Sequence, residues 1–306
     1  MANMDPAVLV PYGPVGQGKT ANEIMSWGAR GLFVCQPGAL RVADTVAGYP
    51  LHPSQVKWVD TMEATLPLIR TAKAGGFSAV VVDDGSLLMA NTMNKAREQF
   101  AIVKKGVVTG YDFGMYTYLR GVLMDIAFAA RWAGVHVIIN AHEQAATRDE
   151  KTNELYPAGP DFGWKKLVKD IPAMACVVLH VIKRLPEWQP WDTRADCDNS
   201  DPMFTMKDRF DVAPLRAGPL NTAEMLRAAG FPVERPPTLA WMEEVVVHVA
   251  QAILSGQTEV QATGPWVGHL QKHNVDPRHV RWALRDGVHR ARFAINKQKA
   301  MLAGFA

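Results

Sequence analysis

Between Gly13 and Thr20 the chain reads Gly-Pro-Val-Gly-Gln-Gly-Lys-Thr, a complete Gly-x-x-x-x-Gly-Lys-Thr phosphate-loop pattern. The chemistry explains the residue types. Glycines let consecutive backbone N–H groups curl around phosphate oxygens, a lysine neutralises the terminal phosphates, and a threonine hydroxyl can ligate a magnesium ion. Gly13, Pro14, Val15, Gly16, Gln17, Gly18, Lys19, Thr20 and Ala21 are therefore the expected nucleotide-binding segment, with ATP and Mg2+ as the expected ligands.

A phosphate loop of this kind needs a carboxylate at the end of a neighbouring strand to support the metal. The run Val80-Val-Val-Asp83 supplies it, so Thr20 and Asp83 are the expected metal residues. Asp84 follows directly, and two roles are open to it: orienting the attacking water or capping the next helix. A second apolar run, Val135 to Ile139, ends in Asn140-Ala-His142-Glu143. His142 stands where a polar residue could sense the terminal phosphate, and Asn140 and Glu143 compete with it.

The surrounding elements must bring these residues to one edge. Apolar runs at Ala7 to Tyr12, Gly31 to Cys35, Ser78 to Val82, Val135 to Ile139 and Ala175 to Arg184 read as buried strands. Helical patterns lie between them: Ala21 to Gly28, Asp60 to Lys73, Ser86 to Arg97, Phe113 to Ala133 and Trp164 to Lys169. Alternating strands and helices predict an α/β fold with a mostly parallel central sheet flanked by helices. The expected organisation is an ATPase core over 1–230, a proline-rich linker over 231–239, and a helical basic C-terminal domain over 240–306.

Composition narrows the classes further. Of 306 residues, 48% are hydrophobic and 21% charged, an ordinary globular balance. Cys35, Cys176 and Cys197 are too scattered for a disulfide framework or a Cys-x-x-Cys site. No apolar run is long enough for a membrane-spanning helix and no leader pattern opens the chain, so a cytoplasmic protein is expected, with no membrane partner. Net charge is +3, unevenly spread. Lys272 to Lys299 holds eight basic residues against two acidic ones, about +6, which leaves the rest near −3.

In that segment Arg278, Arg281, Arg285 and Arg292 share one helical face, opposite an apolar stripe of Val280, Leu284, Val288, Ala291 and Ile295. The face could follow a nucleic-acid backbone, with Trp282 free to stack a base. Its bland alternative is a solvated surface. Trp266, His269, His273 and His279 make no metal set.

The order of Gly13 to Thr20, Val80 to Asp84, Ile138 to Glu143, Gly159 to Leu167 and Met206-Lys-Asp-Arg209 resembles the RecA/KaiC-type ATPase core over about residues 5 to 220. More narrowly it is similar to the phage-encoded RecA-like ATPases associated with single-strand annealing and recombination. That resemblance implies a homo-oligomeric ring or filament in which Lys207 and Arg209 reach the neighbour's γ phosphate. It also implies single-stranded DNA as partner, with a single-strand-binding protein as a further one, in the host cytoplasm if the chain is phage-encoded. The catalytic set so implied is Lys19, Asp84, His142, Glu143, Lys207 and Arg209.

The chain departs from the family at the second strand, where Gln36 stands in place of an acidic residue. Asp84 or Glu143 then takes over, or hydrolysis is slow. The segment Thr147 to Gly163, in the place of the family's DNA-binding loops, mixes Arg148, Lys151 and Tyr156 with Asp149, Glu150, Glu154 and Asp161. Alternatives to the DNA-acting ATPase are a replicative helicase or packaging motor, and a nucleotide-braced adaptor that hydrolyses little.

Overall fold

Val8–Tyr12 forms β1, five consecutive buried residues, and the left-handed glycines that follow turn the chain directly into α1, Lys19–Trp27. The computed structural model describes residues 5–35, 51–104, 106–150, 152–182, 194–196, 202–210, 221–233 and 240–272, with 283–284, 287–288, 291 and 294–295. Further elements in chain order are β2 (Gly31–Cys35), β3 (Val56–Trp58), α2 (Leu66–Ala72), β4 (Ala79–Asp83), α3 (Gly85–Phe100), β5 (Ala101–Lys104), β6 (Val107–Tyr111), α4 (Phe113–Ala133) and β7 (His136–Ile139). Then come β8 (Glu143–Gln144), β9 (Thr147–Arg148), β10 (Leu155–Tyr156), β11 (Gly159–Pro160), α5 (Ile171–Met174), β12 (Val177–Ile182), β13 (Arg194–Asp196), β14 (Lys207–Asp208), α6 (Thr222–Ala228), α7 (Ala240–Leu254) and α8 (Glu259–Lys272).

Six of these strands are parallel, in the order β12-β1-β7-β4-β2-β3, and β13 and β14 add antiparallel to β12. This is the expected class, α/β with a mostly parallel sheet flanked by helices and a helical extension. The strand runs lack polar alternation because both faces are covered. Leu9, Val81, Ile138 and Leu179 cluster with Ile24 and Trp27 of α1, Met225 and Leu226 of α6, and Val245, Val246 and Val249 of α7. The intervening residues Val10, Val80, Val82, Val137 and Val178 cluster with Leu88 of α3 and Leu119, Leu123 and Ile126 of α4. Each fully buried side chain of this size contributes about 1.5–3 kcal/mol.

Several local expectations shift. The helix expected from Asp60 begins as a tight turn at Glu63–Thr65 and becomes α2 only at Leu66, with Pro67 in its first turn. Trp164 to Lys169 is a 3-10 segment at Lys165–Lys169, closed by Pro172 in α5. The β5–β6 hairpin, and an arm in which β8 pairs β11 and β9 pairs β10, have no counterpart in the sequence reading. In the C-terminal part, Val288 and Ala291 belong to the α7 cluster, with Leu284 and Ile295 packed against it. The expected linker falls largely outside the described residues.

Candidate nucleotide-binding site

The loop between β1 and α1 takes its shape from its glycines. Gly16 and Gly18 hold φ of 81° and 80°, a left-handed backbone costly for other residues. Gly13 has no room for a side chain: a Cβ there would lie 2.2 Å from the Val181 carbonyl oxygen. Gly18 caps α1 without any side-chain cap, and the first turn of α1 carries no acidic residue. The helix therefore presents unsatisfied N–H groups and its positive end to the loop, a fit for phosphate.

Lys19 Nζ donates to the carbonyl oxygens of Gly13 at 2.8 Å and Pro14 at 3.0 Å. The ammonium thus lies inside the loop that phosphates would fill. Burial pulls its pKa below the ordinary lysine value, and Asp83, Asp84 and Glu143 push it back up. All three sequence-predicted carboxylates therefore act on one ammonium.

Thr20 Oγ1 donates to Asp83 Oδ2 at 2.7 Å, joining the first turn of α1 to the end of β4. Asn140 Nδ2 donates to the other oxygen, Oδ1, at 3.3 Å. Burial raises Asp83 above the usual carboxylate range, against the opposing hydrogen bond from Thr20. A hydroxyl and a carboxylate so close suit a small hard cation that keeps most of its waters and takes phosphate oxygens. Thr20 and Asp83 would hold Mg2+, whose charge would offset that building on the phosphates. Among the described residues no group of three or more His, Cys, Asp or Glu could hold another metal.

Topology explains the third polar cluster. Because β7 lies between β1 and β4, its C-terminal extension emerges between the phosphate loop and Asp83. His142 Nε2 contacts Asp84 Oδ2, and the His142 N–H donates to Ser86 Oγ at 2.8 Å. Asp84 Oδ1 accepts from the Ser86 and Leu87 N–H groups at 2.8 and 3.2 Å, so this carboxylate does cap α3. The peptide between Asp83 and Asp84 is cis. Glu143 has a different partner: its Oε2 lies 3.0 Å from His180 Nε2 on β12.

The remaining expected residues lie on other elements. Lys207 Nζ donates to the Ala175 carbonyl at 2.8 Å and also to that of Pro172, within its own subunit. Arg209 is exposed just beyond β14. On the arm after Glu143, Lys165 pairs with Asp149, Lys169 with Glu154, and both ammoniums lie over the Tyr156 ring, at 5.0 and 4.6 Å from its centre. Gln36, Lys151, Arg278, Arg281, Trp282, Arg285 and Arg292 lie outside the described residues.

Sequence reasoning passed over His180 and Glu23. His180 is the one polar residue of the strand Val-Val-Leu-His-Val-Ile, a signal that was there to read. Glu23 sits wholly buried on α1, where its carboxylate accepts from Thr222 Oγ1, which in turn accepts from Trp27 Nε1 at 2.9 Å.

Fold and site together set a glycine-rich phosphate-loop pattern between a buried parallel strand and a helix, with Thr20 and Asp83 joined beside it. Among solved structures the chain is similar to a KaiC-like protein from the hyperthermophilic archaeon Pyrococcus horikoshii OT3, with 14% identity and a TM-score of 0.34 over 63% of this chain and 78% of that one. No protein-family model and no curated protein matches the chain.

Proposed function

We propose that this protein binds and hydrolyses ATP with Mg2+ and acts on single-stranded DNA in recombination, annealing or replication. The observation that carries the nucleotide part is the Thr20–Asp83 contact at 2.7 Å, with Lys19 enclosed in the glycine loop beside it. Lys19 neutralises the β and γ phosphates, the N–H groups of the loop hold their oxygens, and Thr20 and Asp83 keep the metal-binding oxygens together. His142, fixed through Asp84 and Ser86, would sense the terminal phosphate.

The DNA part rests on charge placement. The C-terminal segment concentrates about +6 in 28 residues, and the stripe opposite its arginines is the one whose described members join the α7 cluster. On this reading the arginines, placed opposite that stripe by helical spacing, would meet the nucleic-acid backbone. Oligomerisation into a ring or filament, with Arg209 reaching a neighbouring nucleotide, belongs to the same reading.

Phosphate release by the full chain with Mg2+, alone and with single- or double-stranded DNA, tests it. Stimulation by single strands supports the proposal. Tight ATP binding without turnover removes the hydrolytic part and leaves a nucleotide-braced adaptor.

A further inference from the structure

The departure at Gln36 leaves open which carboxylate prepares the attacking water, and the geometry separates the two candidates. Asp84 has both oxygens engaged, Oδ1 by two N–H groups of α3 and Oδ2 by His142. Glu143 has one oxygen engaged, by His180, and among the described residues Oε1 has no hydrogen-bond partner. Glu143 is held beside the phosphate loop, because its partner His180 stands in register with Tyr12, the residue before Gly13.

What holds Glu143 is an unusually constrained imidazole. His180 lies in register with Tyr12, the last residue of β1 before the loop, and their rings stack with centres 5.1 Å apart and planes 18° from parallel. On its other side the Phe204 ring stacks at 4.7 Å and 26°. The imidazole is clamped between two aromatic rings, which fix its plane, and within that plane Nε2 meets Glu143. The backbone closes the other side: Glu143 pairs with Pro160 at the root of the β8–β11 arm, and Ala158 next to it bridges Phe204. A base oriented by a third, fixed group is the arrangement that general-base catalysis requires.

We propose that His180 is a positioning residue that holds Glu143 as the general base for ATP hydrolysis, an inference resting on the hydrolytic reading above. The water oxygen bonds to the γ phosphorus while the bond from that phosphorus to the β–γ bridging oxygen breaks. The bridging electron pair leaves with ADP, and one water proton passes to Glu143 Oε1 and then to solvent. His180 transfers nothing; its N–H keeps the carboxylate aimed.

Steady-state phosphate release by full-length variants tests the assignment. His180→Phe keeps a three-ring stack and removes the donor, whereas His180→Gln keeps a donor. We expect His180→Phe to lower kcat about tenfold or more while KM for ATP changes less than about twofold, and His180→Gln to recover part of the loss. The double variant His180→Phe/Glu143→Gln should be no slower than Glu143→Gln alone, because residues acting as a unit are non-additive. Full activity of His180→Phe, or losses that multiply in the double variant, would overturn the assignment. Absence of turnover in the unaltered protein overturns the hydrolytic reading itself and this inference with it, a result distinct from active protein with multiplying losses.

Discussion

Thr20 and Asp83, 63 positions apart in the chain, are joined by a 2.7 Å hydrogen bond from hydroxyl to carboxylate. The bond exists because β7 separates β1 from β4 by one strand, and because α1 leaves the glycine loop on the sheet face to which Asp83 points.

Among the described residues, Lys19 bonds only to carbonyl oxygens of its own loop. Lys19→Ala should therefore leave the melting temperature close to that of the unaltered protein and lower ATP turnover by about 10²-fold or more, as expected when a charge-stabilising group is lost. Phosphate release and a thermal melt on the same sample check both halves.

Glu23 gives a pH dependence of stability. Burial lifts its carboxyl to about 8, so between the ordinary glutamate value of 4.5 and that point the folded protein holds a proton that the unfolded chain has released. Stability from this group is full below about 4.5 and falls as pH rises toward 8. His136, lowered to about 4 by burial, acts in the opposite sense between about 4 and its ordinary 6.5. The Glu23 effect is therefore cleanest between pH 6.5 and 8. There the melting temperature should fall with rising pH, and Glu23→Gln should flatten that slope; an unchanged slope would assign the effect to other groups.

Lys207 and Arg209 should separate. Lys207 satisfies two carbonyls of its own subunit, and Lys207→Ala should destabilise the fold by roughly 1–3 kcal/mol, read by denaturant unfolding. Arg209 is exposed, so Arg209→Ala should leave stability unchanged and remove turnover if it serves a neighbour's nucleotide. Mixed with Lys19→Ala protein it should regain part of the activity, since some interfaces then combine an intact loop with an intact arginine.

Arg278, Arg281, Arg285 and Arg292 can be tested without cutting the chain, which matters because Val288 and Ala291 pack into the α7 cluster. Replacing all four by Gln should lower the slope of log affinity against log salt for single-stranded DNA by up to about 3. An unchanged slope would make this helix face a solvated surface.

Much of this was legible from residue order. The phosphate loop and the two strand-end carboxylates are local patterns, and a strand buried on both faces announces itself by an unbroken apolar run such as Ala79–Val82. The partners of those residues were harder to read. His180 reaches Glu143 only because β12 and β7 flank β1, a relation set by strand order and not by spacing. The hairpin Ala101–Tyr111 escaped for a different reason: Val103, Val107 and Val108 are exposed, so its strands carry no inward-facing alternation to detect. Lys207 was expected to reach a neighbour's phosphate; its two carbonyl acceptors belong to α5 and the residue after it, which no side-chain pattern marks.

The most direct measurement is the rate of phosphate release by the full-length chain with Mg2+, with and without single-stranded DNA. Turnover should rise with single strands and be lost in Lys19→Ala. ATP binding with no release of phosphate in either condition would contradict the proposal.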